Sequence, residues 1–257
     1  MFLLVLLFVL LGLFVGSFLN VCIDRLPRGQ SIVTPPSHCP HCNRKLSFFD
    51  LIPVISYLWL RGRCRYCQAP IPLRLPLVEG TTALLFGFLF WKFGLELELF
   101  MFLFYAALLT VIFVIDLENQ LILDRITYPA MGIAFILSFF WPGIRTFSFY
   151  WPGLGVESAL VGGVIGYLVM AIIAIVSRGG MGWGDVKLAA LVGLMTGFPL
   201  VTEALLLSWI SGGLVASVLL ALKIKGRHDR IPSGTFLAVS AMVTLLWGQD
   251  IWRRYLG

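Results

Sequence analysis

The sequence predicts an all-α polytopic membrane protein, with about eight transmembrane helices and a cytoplasmic zinc-binding loop between the first two. Three observations predict it. Hydrophobic residues form 59% of the 257 and charged residues only 12%, about half the charged share of a soluble domain. Apolar runs such as "MFLLVLLFVLLGLFVGSFLNV" approach the roughly 20 residues that cross a bilayer. Between the first two such runs lies one sizeable polar segment, and it carries paired cysteines.

Taken in order, the expected spans are 2–22, 76–94, 97–115, 126–142, 157–177, 187–202, 204–222 and 233–249. The first has no basic n-region and no A-x-A-like site, so it reads as a retained span and not as a cleaved signal peptide. The sixth and seventh are short and separated only by the stretch "GFPLVTEA". Glycine and proline inside these runs do not count against them, because membrane helices tolerate both. The domain reading is a first transmembrane helix (1–22), a cytoplasmic zinc-binding loop (23–75) and a membrane core (76–257).

Orientation follows from the basic residues. Arg25, Arg28, Arg44, Lys45, Arg61, Arg63, Arg65 and Arg74 lie in the long loop. Arg125, Arg178, Lys187 and the run "KIKGRHDR" fall on the same side if spans alternate. Only Lys92, Arg145, Arg253 and Arg254 fall on the other, fifteen against four of the 19 lysines and arginines. That bias puts the loop in the cytoplasm and the N-terminus outside. The net charge of +6 is then accounted for by this bias and by anionic lipid headgroups, without a nucleic-acid partner.

The loop contains Cys39-x-x-Cys42, then 21 residues, then Cys64-x-x-Cys67. Each short turn aims two sulfurs at one point, which suits tetrahedral thiolate coordination. The cytoplasm is reducing, which argues against two disulfides, and neighbouring Arg and Lys favour thiolates. A four-thiolate zinc is closed to substrate, so its role is to fold a loop short of core. A redox dithiol, or four unrelated cysteines, is the other reading. His38 and His41 flank the first knuckle as substitute ligands, and Cys22 is expected to pack at the end of the first span.

Ionisable residues at membrane depth mark functional sites by default. Asp116 follows the third span in "LLTVIFVIDLENQLILDRIT", and Asp185 opens the sixth in "GMGWGDVKLAA". Alternating topology brings both to the cytoplasmic edge, although they are 69 positions apart. Two carboxylates at one depth can share a proton and activate a water between them. That is aspartic peptidase chemistry. Gly182 and Gly184 remove side chains beside Asp185, so that a substrate backbone can approach, and the following helix dipole would stabilise the anion. An ordinary N-cap is the bland alternative for Asp185. Asp124 is expected to cap the fourth span, Glu118 to be solvated, and Lys187 to snorkel to the headgroups rather than pair with a carboxylate. Glu79, in "RLPLVEG", is an intramembrane acid with no assigned purpose.

Two other classes compete. In an ion-coupled transporter, Asp116 and Asp185 would bind a cation or relay protons; in a membrane scaffold, the zinc loop would dock partners and the aspartates would only cap helices. The edge position of the aspartates, and the lack of a convincing inverted repeat, argue against transport.

The blocks "GSFLNVCIDRLP", "CPHC", "IPVISYLWLRGRCRYC", "IDLENQLILDRIT" and "GMGWGDVKLAALVG" occur in this order over nearly the whole chain. In this the sequence resembles the bacterial prepilin peptidases, membrane aspartic endopeptidases of the GxGD class. The resemblance implies removal of a short basic leader after a glycine, at the cytoplasmic face of the inner membrane. The substrates would be type IV prepilins or pseudopilins. It further implies methylation of the new N-terminal residue by S-adenosylmethionine, making 23–75 a methyltransferase-associated region and 76–257 the peptidase core. It marks Asp116 and Asp185 as the catalytic pair, and Cys39, Cys42, Cys64 and Cys67 as the zinc-binding set. The loop shows no glycine-rich nucleotide fingerprint, so the S-adenosylmethionine expectation rests on resemblance. Two blocks depart from the family's pattern. "IPD" after the first aspartate reads Ile122-Leu123-Asp124, and the late "FGPFLA" reads "SGTFLA" from Ser233 to Ala238. Neither departure is expected to touch a catalytic aspartate.

Overall fold

The computed structural model describes residues 1–140, 155–177, 181–224, 226 and 232–255. Of the basic residues used above for orientation, Arg145, Arg178 and most of the run 223–230 lie outside these, as does the end of the expected span 126–142. Among the described residues the chain is helical without strands. The helices are α1 (Phe2–Arg25), α2 (Ile55–Trp59), α3 (Arg74–Phe93), α4 (Leu97–Asn119), α5 (Asp124–Ser138), α6 (Gly155–Val176), α7 (Trp183–Thr196), α8 (Leu200–Ala221) and α9 (Ser233–Tyr255), with a 3-10 turn at Phe48–Leu51.

Five of these, α1, α4, α6, α8 and α9, are long and apolar enough to cross a membrane. Of the other four, α3, α5 and α7 correspond to expected spans but are shorter or more charged. The 20 residues of α3 include Arg74, Glu79 and Lys92, and α5 has 15 residues. The 14 residues of α7 would rise only about 21 Å against a hydrocarbon core of roughly 30 Å. The expected ends of the sixth and seventh spans also move. Gly197 turns left-handed at φ 72° and stops α7, and α8 starts at Leu200, directly after Pro199. A glycine C-cap followed by proline ends one helix and opens the next, inside what the apolar run alone read as a continuous span.

Packing divides the chain into two compact units, Met1–Val111 and Ile112–Gly257, the division falling within α4. In the first unit α1 lies against α3. A Cβ at Gly12 would come within 2.6 Å of Ala83 Cα and one at Gly16 within 2.7 Å of Glu79 Cα, so the two glycines set how closely the helices approach, as small-xxx-small pairs do in membranes. Phe8 stacks on Phe90 at 4.6 Å between centroids. The opposite face of α1, with Leu7, Leu10, Phe14 and Phe18, is uncovered by protein. At its C-terminal end, Arg74 pairs with Asp24 at 2.7 Å and Asn20 Nδ2 donates to the Leu75 carbonyl at 3.0 Å.

In the second unit α7 is buried on every side, from Asp185 through Thr196. It packs on α6 and is also contacted by α5, α8 and α9. A Cβ at Gly162 would lie 2.7 Å from the Gly197 carbonyl carbon, and Gly193 faces Gly162 just as closely. The helix of lowest spanning capacity is thus the centre of its unit.

Candidate functional site

The first site is the cysteine cluster. Its two knuckles repeat the same local structure. Cys39 N–H donates to the Arg44 carbonyl at 3.0 Å and Cys64 N–H to the Ala69 carbonyl at 2.8 Å; Asn43 N–H returns to Cys39 and Gln68 N–H to Cys64. Asn43 and Gln68 occupy the left-handed region, at φ 53° and 59°, which turns the chain sharply enough to aim both sulfurs inward. Isolated bridges His38–Lys45 and Arg63–Pro70 close each knuckle. All four sulfurs lie within 4.8 Å of one another, and Cys39 Sγ is 3.8 Å from Cys67 Sγ. A tetrahedron of thiolates around zinc at about 2.3 Å has edges of about 3.8 Å, so the donor set fits a metal of that size. His38 turns its Nδ1 to the Pro36 carbonyl at 3.1 Å, and the described cluster is cysteine only.

Two of the thiols are shifted in opposite directions. Burial pushes Cys39 up, but hydrogen bonds from the Cys42 and His41 amides and from the Cys42 and Cys64 thiols outweigh it and bring it down to about 6. For Cys67, the Ala69 amide lowers the value, yet burial and the other three sulfurs drive it up to about 12.

The loop is anchored from below by Glu79. Its carboxylate, on a residue only 7% exposed, accepts the Val54 N–H at 2.7 Å, and the Ser17 hydroxyl is within hydrogen-bonding reach. Val54 has φ 59° and ψ −49°, a conformation that a β-branched residue avoids. An outside acceptor on its N–H holds this turn, which gives the intramembrane acid the purpose that composition did not reveal.

The second site is in the other unit and joins Asp116 to Asp185. Asp116, in the last turn of α4, is 4% exposed; Asp185, in the first turn of α7, is 8% exposed. Both meet the N-terminus of α9. Asp116 Oδ2 accepts the Thr235 N–H at 2.6 Å and the Thr235 Oγ1–H at 2.9 Å. A Cβ on Gly234 would lie 3.1 Å from Asp116 Cγ, so a larger residue there would crowd the carboxylate. The Ser233 hydroxyl is within hydrogen-bonding reach of Asp185, and the Asp116 charge acts directly on it. Helix termini leave first-turn amides without intrahelical partners, and here a carboxylate from another helix takes one of them.

These contacts correct several expectations. The 233–238 departure does touch the aspartates: Thr235 bonds Asp116 and Ser233 neighbours Asp185. Ile122, in the other departing block, fills the space between Gly184 and Gly234. Asp185 is not an N-cap; Gly182 is, and α7 begins at Trp183, before the aspartate. Gly182 leaves room beside the carboxylate, since an added Cβ would sit 3.8 Å from Asp185 Oδ2, but Gly184 is needed for Ile122, whose Cβ would be 2.9 Å away. Lys187 does not snorkel. It grips both Asp124 oxygens at 2.7 and 2.9 Å and lies 5.2 Å over the Tyr128 ring, tying α7 to α5. Asp124 is accordingly an ion-pair partner and makes no cap bond, the cap position being Leu123. Glu118 is exposed, and Cys22 is buried in α1. The sequence marks Ser233 and Thr235 only as a departure from the family's pattern and not as partners of the aspartates, because the proximity of α9 to α4 is a tertiary fact; the glycine between two hydroxyl residues was the available signal.

Comparison with known proteins agrees with this architecture. Residues 10–93 match the bacterial peptidase A24 N-terminal domain, and residues 103–217 match the type IV leader peptidase family. The chain is similar to the prepilin leader peptidase/N-methyltransferase of Pseudomonas aeruginosa, 33% identical over 276 residues, covering 96% of this chain and 92% of the relative. The protein of the same name from Stutzerimonas stutzeri is 33% identical over 274 residues (96% and 91%), and that from Bacillus subtilis 32% over 245 residues (95% of each). No solved structure matches. With a pair of buried aspartates in the region of the peptidase match, and near-full-length relatives at about one-third identity, the chain belongs to the type IV leader peptidase family.

Proposed function

We propose that Asp116 and Asp185 are the catalytic dyad of this leader peptidase, and that the enzyme cleaves type IV prepilins or pseudopilins after the leader glycine at the cytoplasmic face of the inner membrane. The observation that carries the reading is the convergence of two buried carboxylates on the first turn of α9. One ionised and one protonated carboxyl suffice for hydrolysis. The ionised partner takes a proton from a water whose oxygen bonds to the scissile carbonyl carbon, while the protonated partner gives its proton to the carbonyl oxygen. As the tetrahedral intermediate collapses, the C–N bond breaks and the amine nitrogen takes the proton first removed from water. The intermediate's hydroxyl returns a proton to the other carboxylate, so the dyad ends as it began. The ion-coupled transporter reading of the same residues finds no support among the relatives.

In this reading eight helices are membrane-embedded, with the N-terminus outside and 23–75 cytoplasmic, while 76–257 forms the peptidase core. Cys39, Cys42, Cys64 and Cys67 would hold a structural zinc that folds the loop and is closed to substrate. The N-methyltransferase half of the relatives' name supports a second activity on the new N-terminus, for which S-adenosylmethionine supplies an electrophilic methyl group when bound. The loop's exposed Phe48, Phe49 and Trp59 offer apolar surface to a substrate.

The test is leader removal from a prepilin in detergent, followed by mass spectrometry with and without S-adenosylmethionine. Wild type should release the leader and add one methyl mass to the product. Asp116→Asn and Asp185→Asn should each lose cleavage by at least about a thousandfold while staying folded. Cleavage surviving in either folded variant would remove the dyad assignment.

A further inference from the structure

A pair of carboxyls that shares one proton must divide it, and the division is set by what surrounds each oxygen. At Asp116 the surroundings are one-sided. Oδ2 accepts the Thr235 N–H at 2.6 Å and the Thr235 hydroxyl at 2.9 Å. A backbone N–H can only donate, so this oxygen presents lone pairs to both donors, and a proton on Asp116 would be confined to Oδ1 and would weaken both bonds. The first turn of α9, where Gly234 also abuts the carboxylate, adds the positive end of a helix dipole. Asp185 meets one obligate donor, the Gly182 amide, and the Ser233 hydroxyl of α9, which can donate or accept. Asp116 meets two amides, those of Thr235 and Gly234, besides the Thr235 hydroxyl, so the proton is better accommodated on Asp185. Among the described residues, the charge facing Asp116 is Asp185 of α7. Lys187 of α7 is engaged by Asp124 of α5, and Glu118 of α4 is exposed.

Resting on the dyad reading above, we infer that Thr235 is a positioning residue that holds Asp116 as the ionised, water-activating partner and leaves the proton on Asp185. Its hydroxyl and amide together aim Asp116 and leave Oδ1 for the attacking water. The same two donors make the site sensitive to residue 235 in a way that packing alone would not.

The test measures kcat and KM for prepilin cleavage against pH in wild type, Thr235→Val, Thr235→Ser and Thr235→Pro. Valine keeps the shape and the amide but removes the hydroxyl. Proline removes both donors at a first-turn position, where a helix tolerates it. Fewer donors destabilise the ionised carboxylate, so the acidic limb of kcat/KM should move up by about one pH unit in Thr235→Val and further in Thr235→Pro. KM should change little, and Thr235→Ser should restore the wild-type limb. An unmoved limb in both Thr235→Val and Thr235→Pro, with cleavage retained, overturns the inference. So does a Thr235→Ser variant as impaired as Thr235→Val, which would mean the methyl and not the hydroxyl matters. Failure of the dyad itself would look different, as cleavage by Asp116→Asn or Asp185→Asn.

Discussion

At Asp50, burial and hydrogen bonding pull in opposite directions. Burial raises its carboxyl, but the Ser47 hydroxyl and amide and the Arg65 guanidinium hold it below the usual carboxylate range. Its side chain is 3% exposed, and Arg65 reaches it at 2.7 Å from beside the second knuckle. A depressed folded value means that the stabilisation is complete above the ordinary value near 4 and is lost as pH falls through the folded one. The protection of amides over 47–51, taken relative to their intrinsic exchange rate at each pH, should therefore fall below about pH 4, and in Asp50→Asn it should be low already at neutral pH with little further change on acidification. Sequence reasoning named the residues of the two sites and missed their partners. Asp116, Asp185 and the four cysteines stand out because each type is rare in an apolar chain. Thr235 and Ser233 do not, since hydroxyl residues are ordinary at a helix start, and Lys187 had no visible partner until α5 lay beside α7.

Among elements, the helix contacts are set by small residues. Gly162 and Gly193 allow α6 to touch the backbone of α7 and the turn after it. A Gly162→Val substitution should cost about 1–3 kcal/mol or more and push α7 away, lowering both the melting temperature in detergent and cleavage, although Gly162 touches neither aspartate. Gly213→Val, on α8 where an added Cβ meets nothing within 4 Å, is the control and should leave both nearly unchanged. The existence of every long helix was legible from apolar runs. Their ends were less so: hydropathy carried the sixth span to 202, whereas a left-handed glycine ends the helix at Thr196.

For the molecule as a whole, the loop's metal and its side of the membrane can be read in one experiment. Protease added to inverted inner-membrane vesicles should cut within 28–73 slowly, and rapidly once a chelator removes the metal; added to spheroplasts it should leave the loop intact. Cutting from the outside would overturn the topology, and indifference to chelator would overturn the metal. The all-helical class, the membrane character, the pairing of the cysteines and the family were all present in composition, spacing and motif order, because these are local or one-dimensional properties. Which helices are long enough to span, that α7, which is not among them, is the buried centre of its unit, and that α9 delivers Ser233 and Thr235 to the two aspartates came from the packed chain alone. Those contacts join residues as far apart as Asp116 and Thr235, and no local pattern of hydropathy or charge encodes which helix end will meet a given carboxylate.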